Sequence, residues 1–436
     1  MDLSPPPVLG SIRGRPWVPK GNVRTISAAN FLAGMYQGIL AVILQPFVLS
    51  FGVGLTTVGL IQALASRVSG LVGSLVQPVG GYLADTRGRR PVAILGSALT
   101  IAGLALLGIA AVFQTMVWTL PALVFPGFLL MALALISSPA LTSAVAESVD
   151  PKRRAAAYAT TAFFWVLPGA LLAVPGGIIA DRLGYGAVFG IALGFEIVNL
   201  VLFTTFLRET AAMARGRLER RPWRERLGLG IRPVLEVRRL YVISAMDAFA
   251  WGLAAIIIYG LLRQEFGFSN TELAAIGAVW SVCFALFLPP TAVFVSRFGP
   301  KRSILFSESL GIPIMLGWIF STRLEHFLIV SVFGGLTAAT WVPAIQTYLA
   351  NWTAMEERGR VLGGLAAFRG IIAFPAPFLG GFLYDTFGYG LPILANLIGS
   401  IATTIAIGML LRDPPAAGVE RVRAVPGTEG RLPEAP

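Results

Sequence analysis

The chain has 436 residues and a formal net charge of +12, with 34 Lys and Arg against 22 Asp and Glu. It is 56% hydrophobic and only 13% charged, where an ordinary soluble domain carries roughly 25% charged residues. A single cysteine (Cys283) and a single histidine (His326) leave no means of forming an internal disulfide, a Cys/His metal site or a Cys–His dyad, and no cofactor is expected.

In chain order, residues 1–25, with Pro5-Pro6-Pro7 and scattered Arg, lack the apolar core of a signal peptide and read as a disordered lead. Twelve apolar runs follow, over 26–50, 57–83, 91–113, 118–146, 156–180, 186–207, 239–262, 272–295, 302–321, 326–350, 361–383 and 390–411. Each suits a spanning helix, which needs about 20 apolar residues. An open sheet is excluded, because backbone polar groups in hydrocarbon must be satisfied within the segment. The one long polar break, 208–238, is rich in Arg and divides the runs six and six. The expectation is an all-α membrane protein with bundles at 26–207 and 239–411, a basic linker between them and a polar tail at 412–436. The linker could carry an amphipathic helix on anionic lipid or serve as a plain tether.

The basic residues alternate along the chain. Of the 34 Lys and Arg, 29 lie in the N-terminal lead, the turns near 85–91, 147–155, 296–302 and 356–360, the central segment or the tail. The intervening connections hold only Arg182, Arg263 and Arg323. This is the positive-inside pattern; it places both termini and the linker in the cytoplasm, and the positive charge needs no nucleic-acid partner.

One turn recurs. Gly80-Gly81-Tyr82-Leu83-Ala84-Asp85-Thr86-Arg87-Gly88-Arg89-Arg90-Pro91 is echoed at Gly176–Gly186 around Asp181 and at Gly380–Gly390 around Asp385, and more faintly at 296–302, where Ser296 takes the place of the acid. An offset of 204 carries Asp181 to Asp385 and Arg154 to Arg358, so spans 4–6 correspond to spans 10–12. The turns after spans 2 and 5 face opposite sides by the charge pattern, which implies an inverted three-helix repeat within each pseudo-symmetric half.

The stretch Gly81 through Arg90 resembles the signature between spans 2 and 3 of the major facilitator superfamily, and Glu147 through Arg154 resembles that family's turn between spans 4 and 5. The likeness takes in nearly the whole chain apart from the tails. It implies two bundles rocking about a central cavity lined by spans 1, 4, 7 and 10. Gly81, Asp85, Gly88, Arg89, Glu147, Arg154 and Arg358 would then help close the cytoplasmic face. Asp85 and Arg89 can form a carboxylate–guanidinium latch, stable when dry and weak when wet. Antiporter branches of the family carry a glycine–proline signature in span 5, which Pro168-Gly169 and Pro175-Gly176-Gly177 only approximate.

Ionisable residues inside spans cost about 2.5–3.5 kcal/mol at a helix centre and so mark function or pairing. Arg67, Asp247 and Arg369 are the candidates; Asp247 can carry a coupling proton or pair statically with Arg369. Glu196 and Glu308 are expected in structural pairings. Polar and aromatic stripes put Asn30, Gln37, Trp251, Trp341 and Tyr348 on cavity-facing or helix-packing surfaces. No His-Glu-x-x-His, Gly-x-Ser-x-Gly or phosphate-cradling Gly-x-x-x-x-Gly-Lys-[Ser/Thr] occurs, which argues against an enzyme or a nucleotide-driven pump. The expected function is secondary transport of a small organic solute across the plasma membrane by a lipid-embedded monomer. Proton-coupled efflux of an amphipathic compound is one form; uptake of a sugar, organic anion or other nutrient is another, and a non-transporting receptor or scaffold is the third.

Overall fold

The computed structural model describes residues 20–66, 70–116, 118–150, 153–210, 234–353 and 358–413, which form helices and short turns with no strand among them. Among the described residues ten helices are long and apolar enough to cross a membrane. The run Ala157–Thr205 has 49 residues, about 74 Å of helix at 1.5 Å per residue, more than twice a hydrocarbon core of about 30 Å. Gly184 (φ 80°, ψ 170°) breaks it into spans 5 and 6. Span 2 is split into Leu55–Ala65 and Leu71–Arg87, which makes twelve spans.

The other spans are Asn22–Leu49 (span 1), Arg89–Val112 (3), Leu120–Glu147 (4), Leu235–Phe266 (7), Asn270–Phe298 (8), Pro300–Phe320 (9), Leu324–Trp352 (10) and Gly390–Leu410 (12). Span 11 runs as Arg358–Ala373 and Ala376–Phe387, interrupted at Phe374-Pro375. Pro375 lies at this break and Pro377 in the first turn of the helix that follows, whereas Pro168 and Pro175 are carried inside the helix of span 5. Span 2, which reads as one helix from 57 to 83, is interrupted where Ser66 and Gly70 take extended backbone (ψ 138° and 140°). Span 1 starts at Asn22, ahead of the expected residue 26. Asn22 anchors that start: its Nδ2 donates to Ser148 Oγ (3.1 Å) and Arg208 O (3.0 Å), and its Oδ1 accepts from Arg208 N (2.8 Å).

All four copies of the repeated turn bend on one backbone state. Gly88, Gly184, Gly299 and Gly388 have φ of 111°, 80°, 84° and 85° with ψ near 180°, a region open essentially to glycine alone. Alternation of the spans puts the Gly88 and Gly299 turns on the face where span 1 begins and span 12 ends, here called the terminal face. The Gly184 and Gly388 turns lie on the far face.

The apolar core shows how the bundles meet. From mid-depth to the far face one cluster joins both halves, running from Tyr36, Phe47, Leu107 and Phe189 to Ile257, Leu273, Phe327 and Ile393. Toward the terminal face it divides. Val23, Ile26, Ala144 and Phe203 pack within the first bundle, and Leu240, Ile304, Tyr348 and Ile407 within the second. The halves are fused at one end and separately packed at the other, which is the geometry of a cleft opening on the terminal face.

Candidate functional site

In the second bundle Asp247 of span 7 is 4% exposed and Glu308 of span 9 is 1% exposed. The Asp247 and Glu308 side chains interact with each other, with Trp251 beside Glu308, and Glu308 Oε1 is buried without a hydrogen-bond partner among the described residues. Arg369 of span 11 reaches Asp247 with Nη2 at 3.3 Å from Oδ2. Two neighbouring carboxyls can hydrogen-bond each other only when one of them carries a proton, because a carboxylate has no hydrogen to give. One guanidinium facing the pair balances a single negative charge. Gly311, one turn beyond Glu308, leaves room for the Trp251 ring and for Ser400 of span 12, and Trp251 meets Trp318 edge-on at 6.5 Å.

The first bundle has its own buried acid. Glu196 of span 6 accepts hydrogen bonds from Tyr36 Oη (2.6 Å), Ser97 Oγ (2.6 Å) and Asn199 Nδ2 (3.1 Å). It lines a cavity of about 400 Å³ with Asn30, Ala33, Thr100, Tyr158 and Trp165 among its walls. The positive-φ glycines align span 3 with span 9 at an offset of 211, so Ser97 corresponds to Glu308. The 204 offset makes Glu196 correspond to Ser400 and Trp165 to Arg369. Both halves thus place an acid where their first, third and sixth helices meet, but on different helices.

At the terminal face Arg89, 4% exposed, holds two acids. Its Nη1 lies 2.5 Å from Asp85 Oδ1 and its Nη2 2.9 Å from Glu147 Oε1. Thr210 Oγ1 donates to Glu147 (2.6 Å), and Glu209 accepts from the backbone N–H of Arg89 (2.8 Å) and Arg90 (3.1 Å). Spans 2, 3 and 4 are thereby tied to the end of span 6. The latch acts inside one bundle. The corresponding positions of the second bundle are Ser296, Pro300 and Asn351, and none carries a charge.

The far face is closed across the bundles by two matching caps. Asp385, ending span 11, accepts from Leu55 N (3.0 Å), Thr56 N (2.7 Å) and Thr56 Oγ1 (2.6 Å) at the start of span 2. Asp181, ending span 5, accepts from Asn270 N (3.0 Å), Asn270 Nδ2 (2.8 Å), Thr271 N (2.8 Å) and Thr271 Oγ1 (2.6 Å) at the start of span 8. Gly54, the residue before span 2, has no side chain with which to cap it, and a Cβ there would overlap the Asp385 carboxylate. Deeper in, Gln45 of span 1 bridges to span 7 at its 3₁₀ turn, Ala255–Ile257. Its Nε2 donates to Ile256 O (2.7 Å) and its Oε1 accepts from Gly260 N (2.8 Å).

The remaining sequence candidates are scattered. Asn30 donates to Thr161 O (2.9 Å) on the cavity wall. The Nε2 of Gln37 is buried without a hydrogen-bond partner among the described residues. Tyr348 is fully buried in the second bundle's core, with Trp352 at 6.3 Å and Trp341 packed against the same cluster. Arg154 donates through Nε to Ala146 O (3.1 Å), and Gly81 lies beside Pro139. Arg67 and the side chain of Arg358 lie outside the described residues. Gln45 belongs to the same polar stripe of span 1 as Asn30 and Gln37, which fits a cavity-lining or a helix-packing face, while Asp181 and Asp385 stand out in the sequence only as markers of a repeat. Their recurrence beside chain-reversing glycines was the available signal.

Twelve spans whose apolar cores merge toward one face and divide in two toward the other match the fold of solute transporters. Its solved neighbours include a mutant form of the nucleoside transporter NupG, with a TM-score of 0.72 at 12% identity over 90% of this chain and all of that one. The family model for the Major Facilitator Superfamily matches residues 26–246 and 240–431. The chain belongs to the major facilitator superfamily. Among curated relatives it is similar to the multidrug resistance protein MdtG of Dickeya zeae, 26% identical over 374 residues that cover 82% of this chain and 86% of the relative. It is also similar to the multi-drug resistance efflux pump PmrA of Streptococcus pneumoniae, 31% identical over 194 residues, 44% of this chain and 46% of that one.

Proposed function

We propose that this transporter expels small amphipathic organic compounds across the plasma membrane by alternating access, coupled to inward movement of protons. The positive-inside charge pattern orients the terminal face to the cytoplasm, so the cleft described above takes cargo from that side. The bundles at 26–207 and 239–411 move as two bodies joined by the 208–238 linker, and the unit is a monomer in lipid. Relatives named for multidrug resistance and efflux support the direction.

The observation that carries the coupling is the pair of buried acids, Asp247 and Glu308, beside the one guanidinium of Arg369. Among the described residues a second charge on that pair has no counter-ion beyond Arg369, so proton release is favourable only when the site is rewetted or rearranged. That links protonation to the state of the cleft. The latch at Arg89 and the caps at Asp181 and Asp385 then act on opposite faces, one within a bundle and the other between bundles.

The test is flux in proteoliposomes under an imposed pH gradient, with a fluorescent amphipathic dye as cargo. Efflux requires dye to move against its own gradient as protons run down theirs. Dye moving in the same direction as protons would make the protein a symporter. Dye binding without flux in either direction would make it a receptor on a transporter fold.

A further inference from the structure

The acid of the first bundle differs from that of the second in lacking a resident cation. Asp247 faces Arg369. Among the described residues Glu196 has no ion pair; the groups that donate to it are a phenol, an alcohol and an amide. Glu196 is 5% exposed, and a carboxylate withdrawn from water stays costly until a positive charge approaches. The second bundle meets that need from span 11, through Arg369. The residue corresponding to Arg369 in span 5 is Trp165, which lines the same cavity as Glu196.

We propose that this cavity is a cation subsite, in which the positive group of an organic cargo occupies the place that Arg369 fills in the other bundle. The inference rests on the transport reading above and names a substrate class for it. The cavity, at about 400 Å³, lies within the 300–1,000 Å³ typical of small-molecule sites. Ser138, Thr142, Tyr158 and Trp165 are exposed wall residues that mark its mouth. Three of these bear hydroxyls, so the mouth suits water in the cleft better than lipid. Trp165 supplies the aromatic face that attracts a cation most strongly, while Ala33, Leu135 and Phe203 provide apolar walls for the rest of the molecule. Glu196 is held in place by donors from spans 1, 3 and 6, so it is set before cargo arrives.

The experiment compares two probes of the same shape and opposite charge, tetraphenylphosphonium and tetraphenylborate, binding to the purified full chain in detergent by equilibrium dialysis. Wild-type protein should bind the phosphonium at least tenfold more tightly than the borate. Glu196→Gln should weaken phosphonium binding at least tenfold and leave borate binding no weaker. Trp165→Ala should weaken the phosphonium severalfold. Should Glu196→Gln fail to fold, the wild-type charge preference and Trp165→Ala decide the matter. Equal affinity for the two probes, no phosphonium binding, or wild-type phosphonium affinity in Glu196→Gln overturns the subsite. Gradient-driven flux of an uncharged dye by wild-type protein separates the two failures. If that flux persists while binding ignores charge, only the subsite is lost, whereas its absence removes the efflux reading beneath it.

Discussion

Asp385 caps a helix in the opposite half of the molecule: its Oδ2 accepts from Thr56 N at 2.7 Å, supplying what Gly54 cannot. Asp181 does the same for span 8, whose own Ser269 already forms a capping box with Glu272. Losing a capping oxygen costs roughly 0.5–2 kcal/mol. Asp385→Ala should therefore open the far face more readily than Asp181→Ala, by up to about tenfold in the closed-to-open ratio. Spin labels at Val112 and Phe320, both exposed near that face, would report it. An unchanged distance distribution in Asp385→Ala would show that the cap does not hold the bundles together.

Arg89 serves two acids at once, so its removal should cost more than the loss of either partner. Asp85 and Glu147 keep 37% and 24% of their side chains exposed, and water takes up part of their charge. The expected penalty for Arg89→Ala is about 1–3 kcal/mol, below the range for a fully buried pair. Asp85→Asn should cost under about 1 kcal/mol. Lysine cannot reproduce the forked contact, so Arg89→Lys should recover only part of the lost Tm. Full recovery would mean that positive charge alone suffices.

The acid pair makes a kinetic prediction. In Asp247→Asn, proton-driven dye accumulation should disappear while exchange of dye down its own gradient continues. Glu308→Gln should impair coupling as well, because it removes the second buried carboxyl beside Asp247. A pH-gradient dependence unchanged in both variants would exclude this pair as the coupling site.

Gln45 binds backbone groups that the 3₁₀ turn in span 7 makes available. Gln45→Leu removes two hydrogen bonds, worth about 1 kcal/mol each, and leaves Ile256 O and Gly260 N to find water. The variant should populate the far-face-open state more and lose cargo affinity on the terminal side. Wild-type affinity on that side would show the bridge to be incidental.

Much of this architecture was legible in the sequence. Twelve apolar runs, the alternating basic charge and the recurring glycine–acid turn led to the bundles and their inverted repeat, because hydrophobic length and charge act locally. The break in span 2 falls in Ser66-Arg67-Val68-Ser69-Gly70, a polar interruption of five residues that is too short to split the surrounding apolar run into two predicted helices. The pairing of Asp247 with Arg369 could be stated only as one alternative. Glu308 was expected to pair structurally, yet its partner is another acid, and composition cannot tell which side chains converge from helices about 60 residues apart. Glu196 was read the same way, and only its surroundings reveal neutral donors in place of a cation.

Among the described residues the charged knot around Arg89 has no counterpart in the second half, where Ser296, Pro300 and Asn351 take the places of Asp85, Arg89 and Glu147. Dissolved ions at that surface therefore have a charge cluster to loosen in the first six helices and, among the described residues, nothing matching it in the last six. Raising salt on that side alone should soften one partner of the rocking pair and leave the other rigid, making ionic strength a lever on how the two halves share the motion.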